Sequence, residues 1–339
     1  MVLGEAVRDQ EVTSVLGRAW RFVVEHRPSS LQVCEEDSVV SLTPAASRWP
    51  AALEAIEALV AAGRGLYLLS GGRVRKLARG RFYGLTRDAE AYYAFCSHPR
   101  GARGSIYRFG LDAGRISGSR RLFSGLTRGV HQIDIVDDRL LVLDSYRNEI
   151  VVLDRRGWLQ RRLHPLGRLR SGRNSENYAH LNSVQAVGDR VYVLAHNETY
   201  KTGRRSEILV LDRERLTVGD RIPDVAGCGH NVVARDGLFL VCDSLGGAVT
   251  NHGLVVFKPS TFTRGVAVND DLVLVGGSVY SDRGTRLSSD VFVYALDRQF
   301  AHLGTLTIKD AGQLHEIRLL GTDYGMSDRA GPVPGGRPV

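Results

Sequence analysis

Histidine and arginine recur at equivalent places along this chain. His131 lies thirteen positions before Asp144-Ser145, and His230 lies thirteen positions before Asp243-Ser244. Arg264 precedes a closing serine at the same distance as the two histidines do. Imidazole nitrogens bind divalent transition metals and exchange protons near neutral pH, and a guanidinium holds carboxylates or phosphates. The recurrence predicts a site that is built from several copies of one repeat position.

Each repeat reads as a β-hairpin followed by further strands. A short apolar strand is followed by a two-residue polar turn, such as Asp137-Asp138 or Asp236-Gly237, and then by a second strand rich in β-branched residues. Apolar alternation around such turns is typical of hairpins. A third strand with a shared Leu-Asp-Arg ending closes several copies, for example at Leu153–Arg155. Meanders that repeat at about 50 residues are typical of β-propeller blades.

The repeat predicts an all-β fold, a β-propeller of six blades. The blades begin at Tyr83, His131, Asn182, His230, Arg264 and His315. Five or seven blades are also compatible, because the Arg264 copy follows the preceding one after only 34 residues. The last copy ends near Leu320, so we expect N-terminal strands to complete it. These strands span residues 39–43, 66–69 and 73–77.

We divide the chain into a single propeller domain with two flanking segments. The domain spans 28–325 and contains a short helical insertion at about 49–63. Residues 1–27 form an N-terminal extension, and the Gly- and Pro-rich segment 326–339 is expected to be a disordered tail. The apolar stretch of the insertion carries two glutamates and is too short to span a bilayer, so no membrane association is expected.

Charge and cysteine content bear on partners and location. The net charge is +8, but the arginines are spread along the chain without an aromatic-interleaved basic motif, so nucleic-acid binding is not favoured. A basic protein of this kind is expected to take a small, anionic substrate. The four cysteines lack the paired spacing of zinc sites, and two lie in strand-like runs. Reduced, buried thiols and the absence of a secretory signal indicate a cytoplasmic protein.

The first strand of every blade lines the central channel, so residues at the repeat start form a ring. The predicted metal ligands are His131, His180, His230 and His315, which suit Fe, Cu, Mn or Zn. The predicted substrate-binding residues are Arg264, Asn182, Gln132 and Asn231. The predicted proton-transferring residues are Tyr83 and Glu316.

A structural interpretation of the ring competes with the catalytic one. Repeat-start histidines can also donate hydrogen bonds to carbonyl groups of neighbouring blades and fill the channel with ordered water. Three histidines and an arginine at equivalent positions favour a site over this alternative. The remaining histidines that we considered are expected in turns or outer strands at the surface. They are His164, His196, His252 and His302.

Three short elements carry a resemblance to a known family. The runs Ala179–Val184 (AHLNSV), Cys228–Asn231 (CGHN) and Thr261–Ala267 (TFTRGVA) are similar to the HLN, PHS and FTRG elements of a bacterial β-propeller family of unknown function, in the same order. The resemblance covers residues 65–320. This chain departs from it at Gly-His-Asn, where the family has PHS, and at His131-Gln132, where it has His-Glu. The resemblance implies a propeller with the ring on its axis, and it implies no known reaction.

Two functions follow as hypotheses. The first is a metal-dependent enzyme whose axial histidine ring acts on a small, anionic or natural-product substrate. By analogy with other histidine-lined propellers, which include polyuronate lyases and carotenoid-cleaving oxygenases, its chemistry is expected to be of lyase or oxygenase type. The alternative is a non-catalytic scaffold that binds a protein or glycan. The scaffold predicts exposed aromatic residues on loops, of which the sequence offers few, since aromatic residues are 7% of the chain.

Overall fold

The computed structural model describes residues 29–98, 102–167, 179–280 and 285–321. Within these ranges the chain forms six antiparallel sheets of four or five strands each, arranged as the six blades of a β-propeller. The predicted fold class and blade number are therefore confirmed. The predicted N-terminal extension 1–27 and tail 326–339 lie outside the described residues. No helix in the described ranges is long and apolar enough to cross a membrane.

Four blades are continuous in sequence. Blade 1 consists of β6 (Arg81–Arg87), β7 (Tyr92–Ser97), β8 (Arg103–Asp112) and β9 (Arg115–Thr127). Blade 2 consists of β10 (Val130–Val136), β11 (Arg139–Asp144), β12 (Glu149–Asp154) and β13 (Leu159–Leu163). Blade 3 consists of β14 (Leu181–Val187), β15 (Arg190–Ala195), β16 (Ser206–Asp212) and β17 (Val218–Ala226). Blade 4 consists of β18 (His230–Arg235), β19 (Leu238–Asp243), β20 (Ala248–Asn251) and β21 (Leu254–Phe257).

The other two blades combine strands from both ends of the chain. Blade 5 consists of β22 (Phe262–Val268), β23 (Leu272–Ser278), β24 (Val291–Asp297), β25 (His302–Ile308) and β2 (Val40–Pro44). Blade 6 consists of β26 (Leu314–Leu319), β3 (Glu57–Ala62), β4 (Gly65–Ser70), β5 (Arg73–Arg79) and β1 (Gln32–Asp37). Two helices, α1 (Trp49–Ala55) and α2 (Thr199–Thr202), lie in connections between strands.

The N-terminal strands differ from the prediction in two places. Residues 66–69 and 73–77 complete the last blade as expected, but strand β2, predicted for the same blade, pairs with β25 as the outer edge of blade 5. Helix α1 is also shorter than the predicted insertion, because residues 57–62 form strand β3. The Ala-rich run has good helix propensity, but β3 supplies the partner of the inner strand β26, and this tertiary pairing overrides propensity.

Hydrophobic side chains between neighbouring blades form the core. The inner strand β14 is buried along its whole length, whereas the outer strand β13 is exposed over most of its own. The inner strands contact one another in a closed cycle, from β6 through β10, β14, β18 and β22 to β26 and back to β6. At Gly84 the inner strands of blades 1 and 2 approach so closely that a Cβ atom would lie 2.6 Å from the Ile133 nitrogen. The cycle surrounds the central axis of the propeller, and the repeat-start residues lie at one end of this axis.

Serine side chains join successive blades at this end of the channel. The Ser145 hydroxyl donates to the Leu181 carbonyl at 2.5 Å, and the Ser244 hydroxyl donates to the Thr263 carbonyl at 2.7 Å. Each serine follows the second strand of its blade and binds the first strand of the next. Asp243 Oδ1 caps the following turn by accepting from the Gly246 nitrogen at 2.8 Å, whereas Asp144 Oδ1 accepts from the Thr127 hydroxyl at 2.5 Å. The Asp-Ser pairs of the repeat therefore have structural contacts. All four cysteines of the chain lie in the described ranges and are free.

Candidate functional site

The structure brings the repeat-start side chains together at one end of the channel, which we call the mouth. The rings of Tyr83 and His315 stack with centroids 4.0 Å apart, and Tyr83 lies 5.7 Å from His131. The His131 ring lies 4.6 Å from His180 and 6.1 Å from His230. Five aromatic or imidazole rings from five inner strands or their leading residues thus form one cluster, which we call the axial cluster.

A local irregularity aims these side chains into the channel. Every inner strand shifts its register at the ring residue, for example between Val130 and Ile133 in β10 and between Leu314 and Glu316 in β26. The same shift occurs in β6, β14, β18 and β22. A β-bulge adds a residue to one strand and redirects the side chains beside it. The six register shifts therefore lie at one repeat position of the six inner strands, beside the residues of the cluster.

Arg264 places a cation in the axial cluster. The residue is 6% exposed, its Nη2 donates to His131 Nδ1 at 3.1 Å, and its guanidinium lies 5.9 Å from the centroid of the Tyr83 ring. Burial lowers the pKa of Arg264 to about 10. Among the described residues, no carboxylate forms a salt bridge with this guanidinium. A buried guanidinium without a salt bridge is costly to the folded state unless another group compensates its charge.

Two imidazoles each have one ring nitrogen without a hydrogen-bond partner among the described residues. His315 Nδ1 lies 2.5 Å from the Phe82 carbonyl, and His230 Nδ1 lies 3.0 Å from the Cys228 carbonyl. A carbonyl only accepts, so Nδ1 carries the proton in both rings and Nε2 keeps its lone pair. Burial is the first cause that lowers the pKa of both imidazoles well below the usual range, with Arg264 adding to the effect. Both rings are therefore neutral near pH 7, with Nε2 able to accept a proton or bind a metal.

The other two predicted metal ligands use both of their nitrogens. His131 Nε2 and His180 Nε2 are 3.3 Å apart, and His180 Nδ1 lies 3.3 Å from Glu198 Oε1. Burial lowers the pKa of His131 well below its usual range, and His180 and Arg264 add to this. These bonds link Arg264, His131, His180 and Glu198 in one chain.

His196 was expected at the surface, and this expectation is wrong. The residue is 6% exposed, its ring stacks on His180 at 4.7 Å and it meets the His230 ring at 5.0 Å. It follows strand β15, at the place that Ser145 occupies after β11. That shared spacing is the sequence signal that could have placed His196 at the mouth. Glu198, two residues later, was also missed.

The three side-chain amides that were predicted to bind substrate each form a hydrogen bond with the backbone. Asn182 Nδ2 donates to the Gly229 carbonyl at 2.8 Å, and Asn231 Oδ1 accepts from the Gly265 nitrogen at 2.7 Å. Gln132 Oε1 accepts from the Val184 nitrogen at 2.6 Å. Each bond joins one inner strand to the next blade. These bonds hold the blades around the axial cluster, and within the described residues Asn182 Oδ1 has no hydrogen-bond partner.

Glu316 lies on β26 immediately after His315, and its carboxylate is directed at other groups. Its Oε1 accepts from Gln132 Nε2 at 3.2 Å and lies 3.2 Å from Arg318 Nε. Burial, the largest cause, raises the pKa of Glu316 to about 7, and nearby Asp134 adds to the increase. Glu316 thus belongs to a buried polar layer below the axial cluster. Tyr83, in contrast, lies within the cluster.

Three further histidines that were expected in turns or outer strands lie away from the axis. His164 follows the outer strand β13, His252 lies in the turn between β20 and β21, and His302 begins the outer strand β25. Their predicted positions in turns or outer strands agree with the structure.

The axial cluster does not have the geometry of a metal site. No group of three His, Cys, Asp or Glu side chains within the described ranges has the spacing to hold a metal ion. Hydrogen bonds explain this, because the ring nitrogens of His131 and His180 are bonded to Arg264, to each other and to Glu198. As arranged, these described residues do not fit a divalent cation.

Comparisons with known proteins identify the fold. No family model matches this sequence, and no curated protein matches it. A protein from Lactobacillus plantarum is similar, with a TM-score of 0.53 and 10% identity over 78% of this chain and 99% of that one. The gluconolactonase XC5397 from Xanthomonas campestris gives a TM-score of 0.51 and 11% identity over 86% and 91%. A chain of a nidogen/laminin complex gives 0.51 and 14% over 77% and 97%. Identities this low show a shared β-propeller fold alone.

Proposed function

We propose that this chain is an enzyme that binds a small anionic substrate at the axial cluster and acts on it by lyase-type chemistry. The observation that carries the proposal is Arg264, a buried guanidinium on the channel axis that forms no salt bridge with any described carboxylate, although Glu316 acts on it electrostatically from farther away. A folded protein retains such a cation at a cost in free energy, and a bound anion removes that cost. Arg264 is therefore assigned to the anionic group of the substrate.

The positive charges around the mouth also favour a negatively charged substrate. Arg81 and Arg286 both act electrostatically on His315, and Lys201 acts on His196. A cleft lined by positive charge concentrates anions and raises their association rate. Many arginines farther out form ion pairs at the blade rims, such as Arg213 with Asp137 at 2.7 Å. This distribution favours a small anion over nucleic acid as the partner.

The proposed chemistry follows from Nε2 of His230 and Nε2 of His315, which have no hydrogen-bond partner among the described residues. Nε2 of His230 or His315 would take a proton from a carbon beside the anionic group, while Arg264 would stabilise the negative charge that develops. The electron pair of that C–H bond would form a C=C bond, and the neighbouring leaving group would depart with its own bonding pair. The imidazolium formed in this step would then give its proton to the leaving group, while the Nε2–H of His196, whose Nδ1 accepts from the Glu198 nitrogen at 3.0 Å, would donate a hydrogen bond to that group.

Calorimetry tests the anion site. Inorganic phosphate, sulfate and small carboxylates are titrated into the wild type, into Arg264→Met and into Arg190→Met, a control whose side chain is 57% exposed. We expect the Arg264→Met variant to lose at least about 30-fold in affinity, since removing one partner of a buried charge pair costs about 2 kcal/mol or more. Equal affinities in all three proteins would overturn the anion site.

A product assay separates the enzyme from the scaffold. Carboxylates with a leaving group on the β carbon are incubated with the protein, and ultraviolet absorbance reports the conjugated C=C bond. Two exposed tyrosines, Tyr200 and Tyr280, lie in connections on the mouth face, as the scaffold alternative requires. Anion binding without turnover of any such substrate would favour that alternative.

The metal-dependent form of the enzyme is the second candidate. Nε2 of His131 and Nε2 of His180 are 3.3 Å apart, which is about the separation of two nitrogens on one tetrahedral metal with bonds of about 2.0 Å. Fe, Cu, Mn or Zn held by these residues with His230 and His315 would supply Lewis-acid or redox chemistry. Such binding requires the His131–His180 hydrogen bond to break.

Elemental analysis of untagged protein that was purified without chelators tests the metal. Near-stoichiometric metal that is lost in the double variant His131→Ala, His230→Ala would support the second candidate. Full metal retention in that variant would contradict this ligand assignment. A cytoplasmic location stays a prediction, with which the four free cysteines agree.

A further inference from the structure

We propose that Glu198 is the positioning residue of the axial cluster, because its carboxylate and its backbone nitrogen together set the tautomers of two imidazoles. This inference rests on the proposed function in that it concerns the same site. It requires no knowledge of the substrate. The contacts that carry it lie between Arg264 on one side of the cluster and Glu198 on the other.

The direction of the hydrogen bonds is determined at both ends. Arg264 only donates, so His131 Nδ1 must accept at 3.1 Å and the ring proton of neutral His131 lies on Nε2. That Nε2–H donates to His180 Nε2 at 3.3 Å, so His180 carries its proton on Nδ1. An ionised carboxylate only accepts, and Glu198 Oε1 lies 3.3 Å from His180 Nδ1. A donor-only and an acceptor-only group therefore leave each imidazole one tautomer.

The Glu198 carboxylate is ionised in this setting. Its Oε1 lies 3.3 Å from His180 Nδ1. Lys201, three residues later in α2, forms an ion pair with the other carboxylate oxygen. The Lys201 side chain is half-exposed, whereas that of Glu198 is 4% exposed. The contact thus connects the buried cluster to a charge at the surface.

The same residue controls a second imidazole through its backbone. The Glu198 nitrogen donates to His196 Nδ1 at 3.0 Å, so neutral His196 carries its proton on Nε2. His180 and His196 stack on each other at 4.7 Å. One residue therefore orients two stacked rings, and it leaves an N–H donor on His196 beside the bare acceptor of His230.

The backbone at this point is held in an unfavourable conformation. His180, Asn197 and Glu198 all have positive φ, with values of 56°, 58° and 44°. Left-handed backbone at residues other than glycine costs of order 1–3 kcal/mol and occurs where surrounding contacts enforce it, often at functional sites. The Asn197 amide donates to the Arg205 carbonyl at 2.9 Å, which holds the loop in place. This strain allows Glu198 to present carboxylate and N–H to neighbouring rings.

Nuclear magnetic resonance measures the tautomers directly. Long-range proton–nitrogen correlation spectra of the full chain labelled with ¹⁵N-histidine show which ring nitrogen carries the proton. We expect Nε2–H for His131 and His196, and Nδ1–H for His180. A wild-type spectrum with the His180 proton on Nε2 overturns the assignment, whatever the result of the anion titrations.

Three variants separate positioning from general stability. In Glu198→Ala only the 3.3 Å contact with His131 Nε2 remains to hold the His180 tautomer, so we expect both ring nitrogens of His180 to move toward averaged shifts. Glu198→Gln keeps an acceptor oxygen and should restore the wild-type spectrum. Glu207→Ala removes a glutamate from the surface ion pair with Arg221 and should change nothing in the cluster. An unchanged His180 spectrum in Glu198→Ala contradicts the proposal even if anion binding is confirmed.

Discussion

Replacing Arg264 by methionine should stabilise the fold while it destroys the anion site. The guanidinium is buried, and burial lowers its pKa from 12.5 to about 10. At about 1.4 kcal/mol for each pH unit, this difference corresponds to roughly 3 kcal/mol that the folded state loses by keeping the charge inside. Methionine has a similar length and is apolar, so it avoids this cost.

The gain is reduced by one lost hydrogen bond. The Arg264 Nη2 donates to His131 Nδ1 at 3.1 Å, and leaving this acceptor unpaired costs about 1–2 kcal/mol. We therefore expect the free energy of unfolding of Arg264→Met to exceed that of the wild type by about 1–2 kcal/mol. Urea denaturation at pH 7 measures this as a higher midpoint with an unchanged slope.

The control is again Arg190→Met, at an exposed side chain, which should lie within about 0.5 kcal/mol of the wild type. An Arg264→Met protein that is less stable than the wild type by 1 kcal/mol or more would refute the reasoning. That result would mean that the folded protein already compensates the guanidinium, as in a structural ion pair. The buried cation would then cease to be an argument for an anionic substrate.

Two further predictions concern the fold. Asp88 accepts hydrogen bonds from the Glu90 and Ala91 nitrogens at 2.8 Å and from the Tyr93 hydroxyl at 2.8 Å. Burial acts to raise the pKa of Asp88, but these hydrogen bonds lower the pKa below its usual value of 3.8. The ionised carboxylate therefore stabilises the fold above pH 4, and this stabilisation is lost as the pH falls through the folded-state pKa. In urea denaturation at pH 7, Asp88→Asn should lower the free energy of unfolding by about 1–2 kcal/mol, and this deficit should shrink toward pH 3. A deficit that does not depend on pH would contradict the prediction. Gly84→Ala should lower the free energy of unfolding by about 2–3 kcal/mol, because the new Cβ would lie 2.6 Å from a backbone nitrogen of the next blade. The control Gly219→Ala, whose Cβ would have its nearest atom at 3.9 Å, should change stability little. Equal effects of the two substitutions would refute the close approach at Gly84.

Much of the propeller was predictable because its signals are local. Each hairpin turn, such as Asp137-Asp138, lies between two strands of one blade, and a repeated spacing needs no knowledge of distant contacts. The placement of β2 and β3 was not predictable, because their partners β25 and β26 lie at the other end of the chain. Pairing over such a distance leaves no trace in local periodicity, and the Ala-rich β3 has the composition of a helix.

The site was predictable in its position and less so in its roles. Residues at the repeat start had to meet on the axis, so His131, His230 and Arg264 could be placed together from spacing alone. The ring partners could not, because Glu198 reaches His180 from an irregular loop whose course depends on contacts such as that of Asn197 with Arg205. The amide of Asn182 looked available in the sequence, but only the three-dimensional arrangement shows it bound to Gly229.

The way in which blades 5 and 6 are completed governs when the molecule can fold. Strand β2 pairs with β25 and strand β3 with β26, so both contacts join residues near position 50 to residues beyond 300. During synthesis at about 5–20 residues per second, the early strands would wait on the order of tens of seconds for their partners. In that interval β3 presents an unpaired apolar edge of the kind that drives aggregation. We therefore expect the final step to be slow, with the axial cluster assembling last, when His315 arrives with the closing strand.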